Sequence, residues 1–233
     1  AAFLQNVRSS LQRSLVVEID VWSATSVRYF FGLPLALIAP LLLFRFGEQA
    51  LPTFNSVFFL AAILGGALQI LATALIMRLF KNESFAMTTV FSKTEPVLAA
   101  LFATILLAEA VPLSVAFAIL LCVTGVVIIP SLSIRSTRMG ALLAAMRHPG
   151  AVYGVLTGGL FGLSAVLFRA AALSLGDASI LMRACMTLAI VTSVQTVIVF
   201  AVIQFRREHK TGTIKRRWGT GVLAGISGIS GSF

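Results

Sequence analysis

Acidic residues are scarce in these 233 residues, with only eight Asp and Glu, and cysteine and histidine occur twice each. The two thiols, Cys122 and Cys185, each lie inside an apolar run, so they build neither a disulfide framework nor a thiolate metal site. His148 and His209 have no ligand spacing around them, and no metal or other cofactor is expected. Charge of either sign makes up 11% of the chain, against roughly 25% in an ordinary soluble domain. The glycines show no period of three, which excludes a collagen-like fibre, and an apolar content of 58% excludes disorder. No Gly-rich loop runs into a lysine in the phosphate-binding pattern, so no ATP-driven motor is encoded here. A water-soluble domain of this size cannot hide so much apolar surface, because about half its residues must face solvent. A soluble globular enzyme is therefore excluded.

What the chain does have is long apolar runs. Residues 54–77, 110–134, 149–168 and 184–205 carry no formal charge; 24–44 carries Arg28, and 84–108 carries Lys93 and Glu95. A spanning helix needs about 20 mostly apolar residues, since the hydrocarbon layer is about 30 Å thick and each residue rises 1.5 Å. Backbone groups must be satisfied internally in lipid, so these runs are helices of a polytopic membrane protein. The net charge of +10 sits between them. Arg8 and Arg13, Arg78 and Lys81, Arg135 to Arg147, and Arg206 to Arg217 fall in alternate connections, which the positive-inside rule assigns to the cytosol. The last of these runs lacks interleaved aromatics apart from Trp218, so it suits anionic lipid headgroups better than nucleic acid. Residues 1–17 read as the end of a helix and 218–233 as a run stopped partway, so we read a fragment cut inside its first and eighth helices. Roughly 50–60 further residues are expected downstream, two and a half helices with short loops.

An internal repeat is suggested. Ala24-Thr25-Ser26-Val27-Arg28 and Ser179-Ile180-Leu181-Met182-Arg183 each open an apolar helix that leads into a Gly-rich one, marked by Gly65-Gly66 in the first copy and by Gly221, Gly225 and Gly228 in the second. Five helices separate the equivalent positions, and an odd number inverts the copy.

The stretch Phe91-Ser92-Lys93-Thr94-Glu95-Pro96-Val97-Leu98-Ala99-Ala100-Leu101-Phe102, continued by Leu106-Leu107-Ala108-Glu109 and by Gly125-Val126-Val127-Ile128-Ile129, resembles the fourth and fifth helices of the drug/metabolite transporter (DMT) superfamily, EamA type. The opening, Gln5-Asn6-Val7-Arg8 through Arg28-Tyr29-Phe30, is similar to bacterial members of the family. The resemblance implies an all-α membrane fold of two inverted five-helix repeats, ten helices in the complete protein and about eight here. The first repeat would cover residues 1–134, a basic linker 135–148, and the start of the second repeat 149–233. It also implies solute transport through a cavity between the halves and a place in the bacterial inner (plasma) membrane. The loop charges depart from the family on sidedness, since they put the missing N-terminus outside the cytosol.

Ionisable groups inside the membrane are the first candidates for function, each costing about 2.5–3.5 kcal/mol at a helix centre. Lys93 and Glu95 are expected near the middle of the 84–108 helix, about 200° apart around its axis, so they cannot simply neutralise each other. Lys93 would lie about 13.5 Å from Ser84, too deep for its stem to reach the interface. Pro96 would kink the helix and free a backbone carbonyl. Gln69 and Thr73 share one face of the 54–77 helix, and Gln5, Arg8 and Gln12 share one face of the first. Lys93, Glu95, Gln69, Thr73, Gln5 and Arg8 form the expected substrate-binding set, with Pro96 as a kink or gate. Arg28 and Arg183, close to helix starts, read as side chains that reach the interface. Gly154, Gly158 and Gly162 read as a stripe for close helix packing.

The expected function is a secondary transporter, not an enzyme, that moves a small anionic or zwitterionic metabolite by alternating access. Its partners are the solute and the lipid bilayer, without nucleic acid, and a homodimer is an admissible assembly. The competing reading is a membrane-embedded enzyme acting on an anionic lipid, with Glu95 as acid or base. Against it stands the absence of a nucleophile–histidine pair or metal cluster in the sequence. A channel is disfavoured because no ring of like charge is suggested.

Overall fold

The computed structural model describes residues 10–11, 21–47, 52–82, 92, 94–110, 112–133, 149–206 and 222. Six helices account for nearly all of them: α1 (Val21–Phe46), α2 (Ser56–Asn82), α3 (Glu95–Leu107), α4 (Leu113–Ser133), α5 (Pro149–Leu173) and α6 (Ile180–Arg206). No strand occurs among the described residues. Four of the helices, α1, α2, α5 and α6, are long and apolar enough to cross a membrane. They outrun the charge-free stretches, α2 continuing through Arg78 and Lys81 and α5 through Arg169. A helix does not stop at the first charge, because Lys and Arg are good helix formers and can extend from the ends of a span.

Side-chain distribution on these helices is inside-out relative to a soluble protein. On α6, Thr187, Thr192, Gln195 and Thr196 are buried while Val197 and Phe200 are exposed. Exposed apolar side chains would be unfavourable against water and are at home against lipid tails. Buried hydroxyls avoid the cost of desolvation by bonding to their own helix. Thr187 Oγ1 donates to Arg183 O at 2.7 Å, Ser193 Oγ to Ala189 O at 2.8 Å and Thr196 Oγ1 to Thr192 O at 2.7 Å. An integral helical membrane protein follows.

The chain forms two compact units. The first comprises Ala1–Ile70 and Leu167–Phe233, the second Leu71–Val166. In the first unit α1 packs along α6. The pair runs antiparallel, since Tyr29 near the start of α1 clusters with Val199 near the end of α6, and Phe30 meets Phe200 edge-on at 6.3 Å. Pro34 and Pro40 lie inside α1 and cannot donate to the carbonyls of Phe30 and Ala36 one turn back. A second cluster joins Phe58, Ala61 and Ala62 of α2 to Ala171 of α5, Leu175 just beyond it and Val191 of α6. Asn55 secures the same corner. Its Oδ1 accepts the Phe58 N–H at 2.8 Å, capping α2, while its Nδ2 donates to Ser174 O at 2.6 Å after α5. Gly176 follows with φ +72°, a left-handed conformation that glycine adopts without strain. Ser179 then opens α6, its Oγ accepting the Met182 N–H at 3.2 Å.

In the second unit α5 meets the beginning of α3 at backbone distance. A Cβ on Gly158 would fall 2.6 Å from Thr94 Oγ1 and 3.1 Å from Glu95 N. One on Gly162 would fall 2.9 Å from Ala99 N and 3.0 Å from Glu95 O. The small-residue stripe is therefore a packing device, as its spacing suggests.

The span at 84–108 differs from expectation. Thr94 is a turn residue and the helix α3 starts at Glu95, so Glu95 stands in a first turn and not at a helix middle. An acid there is favoured by the helix dipole. Pro96 sits in the same first turn, where its missing N–H costs nothing and its fixed φ suits a helix start. In the described residues it begins a helix and does not bend one. Ala108 closes α3 in the left-handed region, at φ 53°.

Candidate functional site

Within the first unit, α1, α2, α5 and α6 surround a cavity of about 240 Å³. Its lining combines Arg28 and Tyr29 of α1, Gln69 of α2, Phe168 and Arg169 of α5, and Thr187, Thr192 and Gln195 of α6, with small and aliphatic side chains between them. None of the lining residues is acidic. Gln69 and Gln195 each lie close to the middle of a membrane-length helix, Ser56–Lys81 and Ile180–Phe205, so the polar part of the cavity sits far from either helix end.

The two amides meet. Gln195 Nε2 donates to Gln69 Oε1 at 2.6 Å and to Gly66 O at 3.3 Å. Gly66 O can only accept, so the atom of Gln195 that faces it is the nitrogen, and the amide orientation follows from that contact. Gly66 makes the approach easy, since even a Cβ there would stand 3.4 Å from Gln195 Cγ. The pair links α2 to α6 where an unsatisfied amide would be costly. Arg28 is 8% exposed, with its guanidinium carbon 5.4 Å from the Tyr29 ring centroid. The expectation that Arg28 reaches the interface is thus replaced by a buried position on the cavity wall. Its place in the second turn of α1 hid this, because depth depends on which neighbours cover that turn.

Of the residues expected to bind substrate, Gln69 lines the cavity. Thr73, one turn further along α2, is buried at 1% exposure and is not among the lining residues; neither are Glu95 and Pro96. Lys93, Gln5 and Arg8 lie outside the described residues. Sequence reasoning missed Gln195, Thr192 and Tyr29, and it weighed Arg169 only as a partner for Glu95. A signal for Gln195 was present, as an amide inside a charge-free membrane run at 184–205, the same kind of signal that singled out Gln69. Among the described residues no cluster of His, Cys, Asp and Glu could hold a metal ion.

Polar groups from four helices thus converge on one small space inside an integral membrane protein, an arrangement suited to holding a solute away from lipid. The model of the EamA-like transporter family matches residues 7–130, more than half of the chain and the part that carries α1 to α4. No curated protein and no solved structure matches it. The motifs at 91–102 and 106–129, the apolar helices and the matched segment agree: this chain belongs to the EamA-like transporter family.

Proposed function

We propose that the protein is a secondary transporter that moves a small anionic or zwitterionic metabolite by alternating access, and that the cavity of the first unit is its solute site. The observation that carries this reading is the lining: two guanidinium side chains, Arg28 and Arg169, and the Gln69–Gln195 pair, with no carboxylate among them. Guanidinium groups match carboxylate geometry, and they gain strength where water is excluded. The volume, about 240 Å³, is smaller than the usual range for drug-sized ligands and suits a metabolite.

Two inverted repeats, residues 1–134 and 149–233 on either side of the basic 135–148 linker, supply the mechanical basis. In support, α1 and α6, which open with the matching Arg28 and Arg183 segments, pack antiparallel on each other, as inverted copies about an in-plane axis would. The cavity draws α1 and α2 from the first copy and α5 and α6 from the second, so rocking of one copy against the other would open and close it. Pro34 and Pro40 give α1 places to bend. Lys93, Glu95, Thr73, Gln5 and Arg8 keep their assignment to the solute path, and Pro96 its assignment to gating, on the sequence argument alone.

Counterflow in proteoliposomes tests the function. Vesicles loaded with unlabelled small carboxylates should accumulate the labelled solute transiently, and Arg28→Gln should reduce that exchange by about tenfold or more, the weight of one charge-assisted hydrogen bond. An open channel or an enzyme produces no such overshoot. Undiminished exchange in Arg28→Gln would remove the cavity from the transport path.

A further inference from the structure

Hydroxyls on α6 follow one habit, with a single departure. Thr187, Ser193 and Thr196 each donate to the carbonyl one turn back. Thr192, only 2% exposed and on the cavity wall, has no hydrogen bond from its hydroxyl to any of the described residues. Three residues on, and therefore on the same face, stands Gln195, also 2% exposed. Its nitrogen is committed to Gln69 Oε1 and Gly66 O, and among the described residues nothing donates to its oxygen. A buried hydroxyl and a buried amide oxygen left unmatched side by side each carry a desolvation penalty, and native proteins keep few such groups without a reason. One partner satisfies both: a hydrogen-bond donor placed in the cavity, accepted by Gln195 Oε1 and by Thr192 Oγ1.

Resting on the transport reading above, we infer that Thr192 and Gln195 form a donor-recognising subsite, and that the solute is a carboxylate that also carries a hydroxyl or ammonium group on a compact, partly apolar skeleton. The arginines take the anion. The Thr192–Gln195 subsite takes the donor, and Tyr29, Phe168, Leu188 and Val191 take the skeleton. A bare carboxylate would fit by size and charge yet leave both acceptors unmatched. Sites built to bond a polar substituent reject the analogue lacking it far more strongly than apolar pockets reject a missing methylene.

The test is ligand-induced thermal stabilisation of the purified protein in detergent micelles. The probes are saturated carboxylates with linear, branched or phenyl-bearing side chains, each supplied as the bare acid, its α-hydroxy derivative and its α-amino derivative. The expected result is that, on at least one skeleton, a donor-bearing member binds about tenfold or more tightly than its bare acid. Thr192→Val, which keeps the shape and removes the hydroxyl, should shrink that preference, and Thr192→Ser should retain it. Preference for the hydroxy over the amino member, or the reverse, identifies which donor is read. Equal binding of bare and donor-bearing acids overturns the subsite and leaves the anion reading intact, as does a donor preference unchanged in Thr192→Val. Stabilisation by no member of the series overturns the anion reading and the subsite with it, while counterflow judges transport separately.

Discussion

Replacing the buried amide pair by leucines, singly and together, probes whether the cavity wall is held from α2 to α6 by one specific contact. Gln195→Leu removes the 2.6 Å bond to Gln69 Oε1 and the 3.3 Å bond to Gly66 O. The carbonyl of Gly66 lies inside α2 and keeps a place in that helix's own ladder, so the loss falls mainly on Gln69. An interhelical hydrogen bond in a membrane protein contributes about 0.6 kcal/mol on average and at most about 1.7. An amide stranded beside an apolar leucine adds a penalty of about 1–3 kcal/mol. Each single variant is therefore expected to lose about 1–3 kcal/mol of stability. In the double variant neither amide is stranded, so its loss should fall short of the summed single losses by about 0.5–1.5 kcal/mol. Equilibrium unfolding in mixed detergent micelles measures all four corners of the cycle. Single losses that add to the double loss within about 0.3 kcal/mol would refute the claim that these amides act as a pair.

Three other outcomes follow from the packing and the sequence. Gly162→Ala drives a Cβ to 2.9 Å from Ala99 N and should cost about 1–3 kcal/mol, whereas Gly125→Ala, with nothing within 4 Å, should be neutral or slightly stabilising; unfolding curves of the two compared side by side check this. Asn55→Ala removes a cap of α2 and the bond to Ser174 O at one stroke, and a loss of about 1–2 kcal/mol is expected, with Asn55→Asp recovering the cap but not the bond. Lys93→Met should abolish exchange of an anionic solute in proteoliposomes while the protein remains folded in the membrane; exchange at the wild-type rate would make Lys93 a structural residue.

The membrane class, the helical class and the family were legible in the sequence, because each rests on properties that add along the chain. Apolar runs of about 20 residues have one solution in lipid, whatever surrounds them. The helix ends were legible only in part. Both α2 and α5 run past the charges taken as their limits, since backbone bonding continues until a cap, a turn or a proline intervenes. At 84–108 a charge-free reckoning predicted one long helix, and the turn at Thr94 places Glu95 and Pro96 in a fresh first turn.

The candidate site divides along the same line. Gln69 was found from the sequence because an amide in an apolar run is conspicuous wherever the helix ends up. Arg28 was misjudged, since distance along a helix cannot say whether a guanidinium meets lipid headgroups or a cavity wall. Gln195 and Thr192 depended wholly on tertiary structure. Their helix carries several Ser and Thr residues, and only the packing of α1, α2 and α5 around it decides which faces a cavity and which bonds back to its own carbonyls. The sequence by itself determined a helical membrane protein of the EamA-like transporter family, because burial in lipid is a one-dimensional constraint. Tertiary structure alone decided that Arg28, Gln69, Thr192 and Gln195 share one space, because meeting across helices depends on the rotation and depth of each, which no spacing within a single helix encodes.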